Sequence, residues 1–239
     1  MSVGRSLVAT GVVVTQIGYA TVSYSSVVNC ATWAGRITIM RIRTVGDDAV
    51  LLEFADSTPV PDWHAELWRR RDTGDFSARD LVAGATTILI DGCPDRPRLE
   101  RALAAWAPRS GAGSAGGSLV QIPIEYDGED LQFVADHLGW TVDELINRHR
   151  STEFRVAFCG FAPGFAYMTG LGVTVPRLAT PRPRVPAGAV GLADAYCGAY
   201  PTASPGGWRL IGRTDAVLFD STSATPALLT PGTRVRFVA

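Results

Sequence analysis

The stretch from Phe158 to Arg213 places the tightest limits on what this chain can fold into. It opens F-C-G-F-A-P-G-F-A-Y-M-T-G-L. It continues through V-P-R-L-A-T-P-R-P-R-V-P-A-G-A-V-G-L and G-A-Y-P-T-A-S-P-G-G-W-R-L-I-G-R-T. Glycine admits backbone angles closed to other residues, and proline locks φ. Aromatic and aliphatic side chains between them supply burial, and arginine supplies a forked set of donors for an anion. A segment of this composition folds as a rigid, loop-built pocket rather than a linker. Its Leu, Ile and Val residues keep the stretch apolar enough to fold.

Around this stretch, the 239-residue chain is 46% hydrophobic and 19% charged, which suits one large or two small globular domains. Its net charge of −1 gives no pull toward nucleic acid or an acidic membrane. All 22 basic residues are arginine. Neither G-x-x-x-x-G-K-[ST] nor a G-x-G-x-x-G entering a helix occurs, so no standard phosphate loop is expected. Cys30, Cys93, Cys159 and Cys197 form no C-x-x-C pair and read as free thiols of a reducing cytoplasm. His64, His137 and His149 lie far from one another and from the cysteines, so no metal site is indicated.

Between Ser6 and Gly35 no residue is charged, yet polar residues interrupt the run too often for a membrane helix. Residues 1–39 are therefore expected to be a non-native or disordered extension, with a targeting segment as the other reading. The texture changes at Met40, and residues 40–108 are expected to form a small α/β domain. Arg41–Val45 and Ala49–Phe54 read as a hairpin turned at Gly46-Asp47-Asp48, followed by a helix from Pro61. A strand ending at Asp91 and a helix over Pro94–Trp106 complete that domain. Residues 109–118, rich in Gly, Ser and Ala, read as a flexible linker.

Residues 119–239 are expected to be mostly β with one or two helices near their start. Leu119–Tyr126 alternates as a strand, and Pro123 within it predicts an edge. Asp130–Leu138 is helical, and Thr141 with Glu144 predicts a capping box. Arg155–Phe158, Ala189–Ala193, Trp208–Gly212, Val217–Phe219 and Arg234–Val238 read as short strands of a barrel or sandwich.

The candidate ligand groups lie in the opening stretch. Arg177, Arg182 and Arg184 alternate with prolines; they either hold a carboxylate or phosphate or are surface charges. Arg213 is a separate candidate. Gly206-Gly207 before Trp208 is either a tight turn or a pocket wall that a ligand approaches closely. Phe161, Gly164, Phe165, Tyr200 and Ser204 are expected to line the pocket, with Tyr167 packed alongside. His149 is either a helix-end or core-edge residue or a general acid or base. Cys159 and Cys197 read as packed thiols, and no Ser/His/Asp or Cys/His set assembles.

The ordered motifs G-F-A-P-G-F-A-Y-M, V-P-R-L-A-T-P-R-P-R-V-P-A-G-A-V-G-L, G-A-Y-P-T-A-S-P-G-G-W-R-L-I-G-R-T and V-L-F-D resemble the KipI / allophanate hydrolase subunit 1 family. The resemblance runs from Met40 to the C-terminus and includes His149. It implies an α+β protein: a small α/β domain, then a cyclophilin-like β-barrel. It also implies a cytoplasmic subunit of an ATP-dependent 5-oxoprolinase that opens 5-oxo-L-proline to L-glutamate. ATP would be used by the complex and not necessarily bound by this chain. The implied partners are a homologous second subunit of the KipA / allophanate hydrolase subunit 2 type and a lactam-hydrolase subunit. The same family also implies two other roles, inhibition of a sensor histidine kinase and hydrolysis of allophanate or urea-derived amides. This chain departs from the family pattern at Asp194-Ala195-Tyr196-Cys197-Gly198, where Gly-Asn-Gln-Thr-Gly is frequent, and at Pro183, Ala189 and Asp215.

Overall fold

A computed structural model describes residues 10–17, 20–33, 36–111, 113 and 117–238, with side chains from residue 40 onward. The chain divides into two compact units, Met1–Ala115 and Gly116–Ala239.

The described part of the first unit is a six-stranded sheet with two helices. Strands β1 (Thr10–Ile17), β2 (Ala20–Trp33), β3 (Arg36–Val45) and β4 (Ala49–Phe54) form an antiparallel meander. Helix α1 (Val60–Asp72) leads to β5 (Asp80–Ala83) and β6 (Thr87–Asp91), and helix α2 (Arg96–Ala105) follows. The strand order is β1-β2-β3-β4-β6-β5. Strands β1 and β2 thus occupy most of the stretch that the sequence reads as an extension; its residues 1–9, 18–19 and 34–35 lie outside the described residues.

The β3–β4 hairpin turns at Gly46 with φ +55°, an angle that favours glycine. Val50, Leu52, Ile88 and Ile90 alternate inward and meet Trp63 and Leu67 of α1 and Leu99 and Leu103 of α2 in the buried core. The sequence predicts one strand ending at Asp91; the structure instead folds 80–91 into a hairpin. Its turn is closed by the Gly84 N–H donating to Thr87 O at 2.8 Å. Helix α2 stops at Ala105, one residue before the expected Trp106, which is the extended C-cap. Within the expected linker, the Gly111 and Gly113 N–H groups donate to the buried Asp62 carboxylate at 2.9 and 2.7 Å. Part of that segment is therefore tied to α1.

In the second unit, β7 (Leu119–Pro123) leads to helices α3 (Leu131–Leu138) and α4 (Val142–Ser151). Strands β8 (Phe154–Cys159), β9 (Ala166–Thr169), β10 (Arg182–Val185), β11 (Ala189–Ala193) and β12 (Tyr196–Ala199) come next. Strands β13 (Ser204–Gly206), β14 (Arg209–Arg213) and β15 (Arg234–Val238) complete the unit. Seven of these strands make a curled sheet in the order β14-β11-β12-β9-β8-β15-β7, and β10 and β13 form a separate pair. Strand β7 lies at the sheet edge and runs parallel to β15, where Pro123 loses no ladder bond on its open side. Just beyond β7, Glu125 bridges Arg213 of β14, with paired N–H···O bonds of 2.9 Å each. The two edges of the sheet thus meet at one point.

Period-two alternation splits this sheet into two apolar layers. One layer, with Val156, Met168, Val190, Leu192, Cys197 and Ile211, packs with Val134 of α3 and Leu145 of α4. The other contains Phe165, Val185, Ala189, Ala193, Tyr200, Trp208 and Leu210. Thr141 accepts the Glu144 N–H at 3.1 Å, but the Glu144 carboxylate accepts from Arg148 instead of completing the expected box. The expected strand at Val217–Phe219 is reduced to a single bridge between Phe219 and Ala227.

Candidate functional site

The second apolar layer of the curled sheet carries a cluster of large aromatic rings, and the backbone beneath it explains how they fit. Gly191 of β11 and Gly198 of β12 face each other in register. A Cβ on Gly198 would stand 2.9 Å from Trp208 and 3.0 Å from Phe165. Their absence of side chains lets these two large rings lie directly on the strands. The Phe165 ring is the hub, with centroids 5.4 Å from Phe161, 5.0 Å from Tyr167, 5.2 Å from Tyr200 and 5.3 Å from Trp208. Phe158 stacks on Tyr167 at 4.3 Å, and Tyr196 closes edge-on against both. Such offset and edge-to-face pairs add to simple burial.

Phe161 stands out from this cluster. It is 61% exposed and has a φ of 70°, in a region that bulky residues rarely adopt. The turn around it is held by Gly160 N–H donating to Phe165 O at 3.2 Å and Phe165 N–H donating to Ala162 O at 3.0 Å. Gly164, with φ +84°, passes so close to Leu218 and Phe219 that no side chain would fit. The apolar ring is thereby held outward on a constrained backbone. Nearby, Gly206 gives the Tyr200 hydroxyl room, since a Cβ there would stand 2.4 Å from it. Strand β13 also holds Ser204, whose Oγ is buried with no hydrogen-bond partner.

The arginines separate into engaged and free. Arg182 is fully engaged: its guanidinium donates to Asp130 at 2.8 Å and to the Trp208 carbonyl at 3.1 Å, and it pairs with Glu129 at 2.6 Å. Asp130 is buried and also accepts from Leu210 N–H at 2.7 Å and Arg209 at 3.3 Å. Arg213 pairs with Glu125 and with Asp127. Arg177 pairs with Asp194 at 3.0 Å, and both are exposed. Arg184 is exposed and has no partner among the described residues. Gly207 lies open beside Leu178 and Pro181, with nothing within 3.4 Å of a notional Cβ.

His149 has surroundings unlike those of a titrating catalytic group. It sits on α4, fully buried, with Nδ1 2.8 Å from the Tyr126 hydroxyl and Nε2 3.4 Å from Cys197 Sγ. Phe154 and Phe237 pack on the ring at 4.9 and 4.7 Å. Burial pushes its pKa down to about 3, so the imidazole is neutral at ordinary pH. Burial raises the Tyr126 phenol and the Cys197 thiol, and pushes the Cys159 thiol up to about 11. His149 lies in the layer beneath the sheet, whereas Phe161, Phe165, Tyr200 and Trp208 lie in the other.

Burial also raises the Tyr167, Tyr196 and Tyr200 phenols of the aromatic layer. Among the described residues this layer holds no activated acid, base or nucleophile, and no group of three or more His, Cys, Asp or Glu stands where it could hold a metal ion. What it offers is recognition: exposed aromatic surface at Phe161 and an unpartnered hydroxyl at Ser204. Sequence reasoning missed Asp130 and the pairing of Tyr126 with His149. Asp130 reads locally as a helix start, and its arginine partners lie 52 and 79 residues away.

Comparison with known proteins gives three findings. The family model of the carboxyltransferase domain, subdomain C and D, matches residues 40–229. Two curated relatives are both named as the same subunit of 5-oxoprolinase. The one from Escherichia coli is 36% identical over 208 residues, covering 83% of this chain and 95% of the relative. The one from Haemophilus influenzae is 40% identical over 209 residues, covering 83% and 97%. The crystal structure of Kluyveromyces lactis urea carboxylase superposes with a TM-score of 0.66 at 19% identity. It covers 84% of this chain and 22% of that one, a likeness of fold alone.

Proposed function

The chain belongs to the family of the carboxyltransferase domain, subdomain C and D, and from that premise we propose that it is a subunit of an ATP-dependent 5-oxoprolinase. Together with partner subunits it opens 5-oxo-L-proline to L-glutamate. The observation that carries this reading is identity of 36% and 40% across 95% and 97% of two proteins named as a 5-oxoprolinase subunit. The chemistry is consistent with it. An unstrained lactam resists hydrolysis. Phosphorylating its carbonyl oxygen makes the carbon electrophilic, water adds there, and the C–N bond breaks with the nitrogen leaving as the protonated amine. Hydrolysis of the resulting acyl phosphate releases glutamate and phosphate. ATP is consumed by the complex, and the groups that activate it come at least partly from partners.

The partners in this reading are a homologous second subunit and a lactam-hydrolase subunit, and the assembly is cytoplasmic. The chain is inactive alone. Residues 40–108 are its small α/β domain, 109–118 its linker and 119–239 a cyclophilin-like barrel, with 1–39 an extension outside the part that the family model matches. The aromatic layer contributes one side of a site shared with a partner. Arg184 and the Ser204 hydroxyl face an anion or amide there, Phe161, Gly206 and Gly207 shape the wall, and Arg177 joins when Asp194 releases it. His149 supports the sheet from below through Tyr126 and Cys197.

Co-expression with the two partner subunits, followed by an assay of glutamate release from 5-oxoproline and ATP, tests this proposal. Release is expected only from the assembled complex. Arg184→Ala is expected to lower it at least tenfold, in line with loss of one charge-assisted bond. An intact complex that releases no glutamate overturns the reading. Full activity of Arg184→Ala removes that residue from the site.

A further inference from the structure

The first unit contains a cavity of about 560 Å³ that the oxoprolinase reading does not use. It lies between the end of α1, the loop at 74–78 and the start of α2. Its size falls within the range of small-molecule sites, about 300–1,000 Å³. Leu99 and Cys93 are buried at its base, and Phe76 and Trp106, with ring centroids 5.8 Å apart, form an aromatic side.

The two acids and two arginines that line it differ in how far they are already engaged. Of the two acids that line it, Asp75 is drawn to Arg70 at 3.0 Å, and Asp95 caps α2 by accepting the Arg98 N–H at 3.1 Å. The guanidinium of Arg98 has no partner among the described residues and stands in the first turn of α2, whose N-terminus Asp95 already caps. Arg71 also lines the cavity, stacked 3.8 Å over the Trp68 ring and only loosely approached by Asp72 at 3.8 Å. The unpaired Arg98 guanidinium, the Arg71 side chain and an aromatic wall thus line one half-open volume.

We propose that this cavity binds a small organic carboxylate with a flat apolar body, the carboxylate held by Arg98 and Arg71 and the body lying against Phe76, Leu99 and Trp106. The site is separate from the aromatic layer of the second unit, and the proposal stands or falls independently of the oxoprolinase reading.

The test uses the full chain and three probes: benzoate, its neutral isostere benzamide, and acetate, which has the charge without the ring. Binding is read by calorimetry and by amide chemical shifts. Benzoate is expected to bind at one site, shifting residues 74–78 and 93–102, with benzamide and acetate at least about tenfold weaker. Arg98→Gln is expected to weaken benzoate at least about tenfold with an unchanged melting temperature, since its guanidinium is exposed and unpaired. Equal binding of benzoate and benzamide, shifts confined to other residues, or no binding of benzoate would each overturn the proposal. So would an Arg98→Gln chain that binds benzoate as before. The probe comparison needs no variant, so a poorly folded Arg98→Gln chain would not weaken the test.

Discussion

A fully buried histidine is a pH-dependent part of a fold even when it does no chemistry. His149 is neutral in the folded chain because burial lowers its pKa to about 3, while in the unfolded chain it titrates near 6.5. Stability is therefore complete above about pH 6.5. It falls toward pH 3, because only the unfolded state takes up the proton. This one group contributes a slope of up to about 1.4 kcal/mol per pH unit in that window. Denaturant midpoints of His149→Met, measured from pH 7 to 4.5, should show a flatter pH dependence than the parent chain; an unchanged slope would refute the assignment. A second residue-scale prediction separates two glycines of the same stretch. Gly198→Ala drives a methyl into Trp208 and Phe165 and should cost about 1–3 kcal/mol. Gly160→Ala meets nothing within 4 Å and should be near neutral by the same denaturation measurement.

At the scale of elements, Asp130 joins pieces that the chain order keeps apart. Standing at the start of α3, it holds Arg182 of β10, Arg209 of β14 and the Leu210 amide. Its removal leaves two half-buried guanidinium groups and one buried N–H without this acceptor. Asp130→Ala should therefore destabilise the chain by about 3–5 kcal/mol, the range for breaking a buried ion pair from one side. The N-cap of α4 is a smaller effect: Thr141→Ala should cost about 1 kcal/mol. Glu144→Ala removes only an exposed pair with Arg148 and should cost a few tenths of a kcal/mol. Urea denaturation of the three variants checks this order; an Asp130→Ala chain no less stable than Thr141→Ala would contradict it.

For the whole molecule, the family match over residues 40–229 sets the part of the chain shared with relatives apart from the first 39 residues. Deleting those residues keeps the β3–β4 pairing from Met40↔Phe54 to Val45↔Ala49 and the buried core of Ile42, Leu52, Trp63 and Leu67. A chain that begins at Met40 is expected to stay soluble and to unfold cooperatively by circular dichroism. Aggregation of that chain would mean that β1 and β2 are required to cover β3.

Several features were legible from the sequence because they depend on neighbours only a few residues away. Alternation predicts strands at 189–193 and 234–238. Pro123 predicts an edge strand because it lacks an N–H. Thr141 predicts a helix start, and Gly46 a turn. The motifs between Phe158 and Arg213 carry the family resemblance. Other features were decided only in three dimensions. Arg182 and Arg213 are engaged because Asp130 and Glu125, 52 and 88 residues away, lie within hydrogen-bond reach. His149 is neutral because α4 lays it against Phe154 and Phe237. Local pattern sets backbone angles and which face a side chain takes. Charge state and pairing depend on burial and on distances across the fold, so only the tertiary structure separates the unpartnered Arg184 from its engaged neighbours.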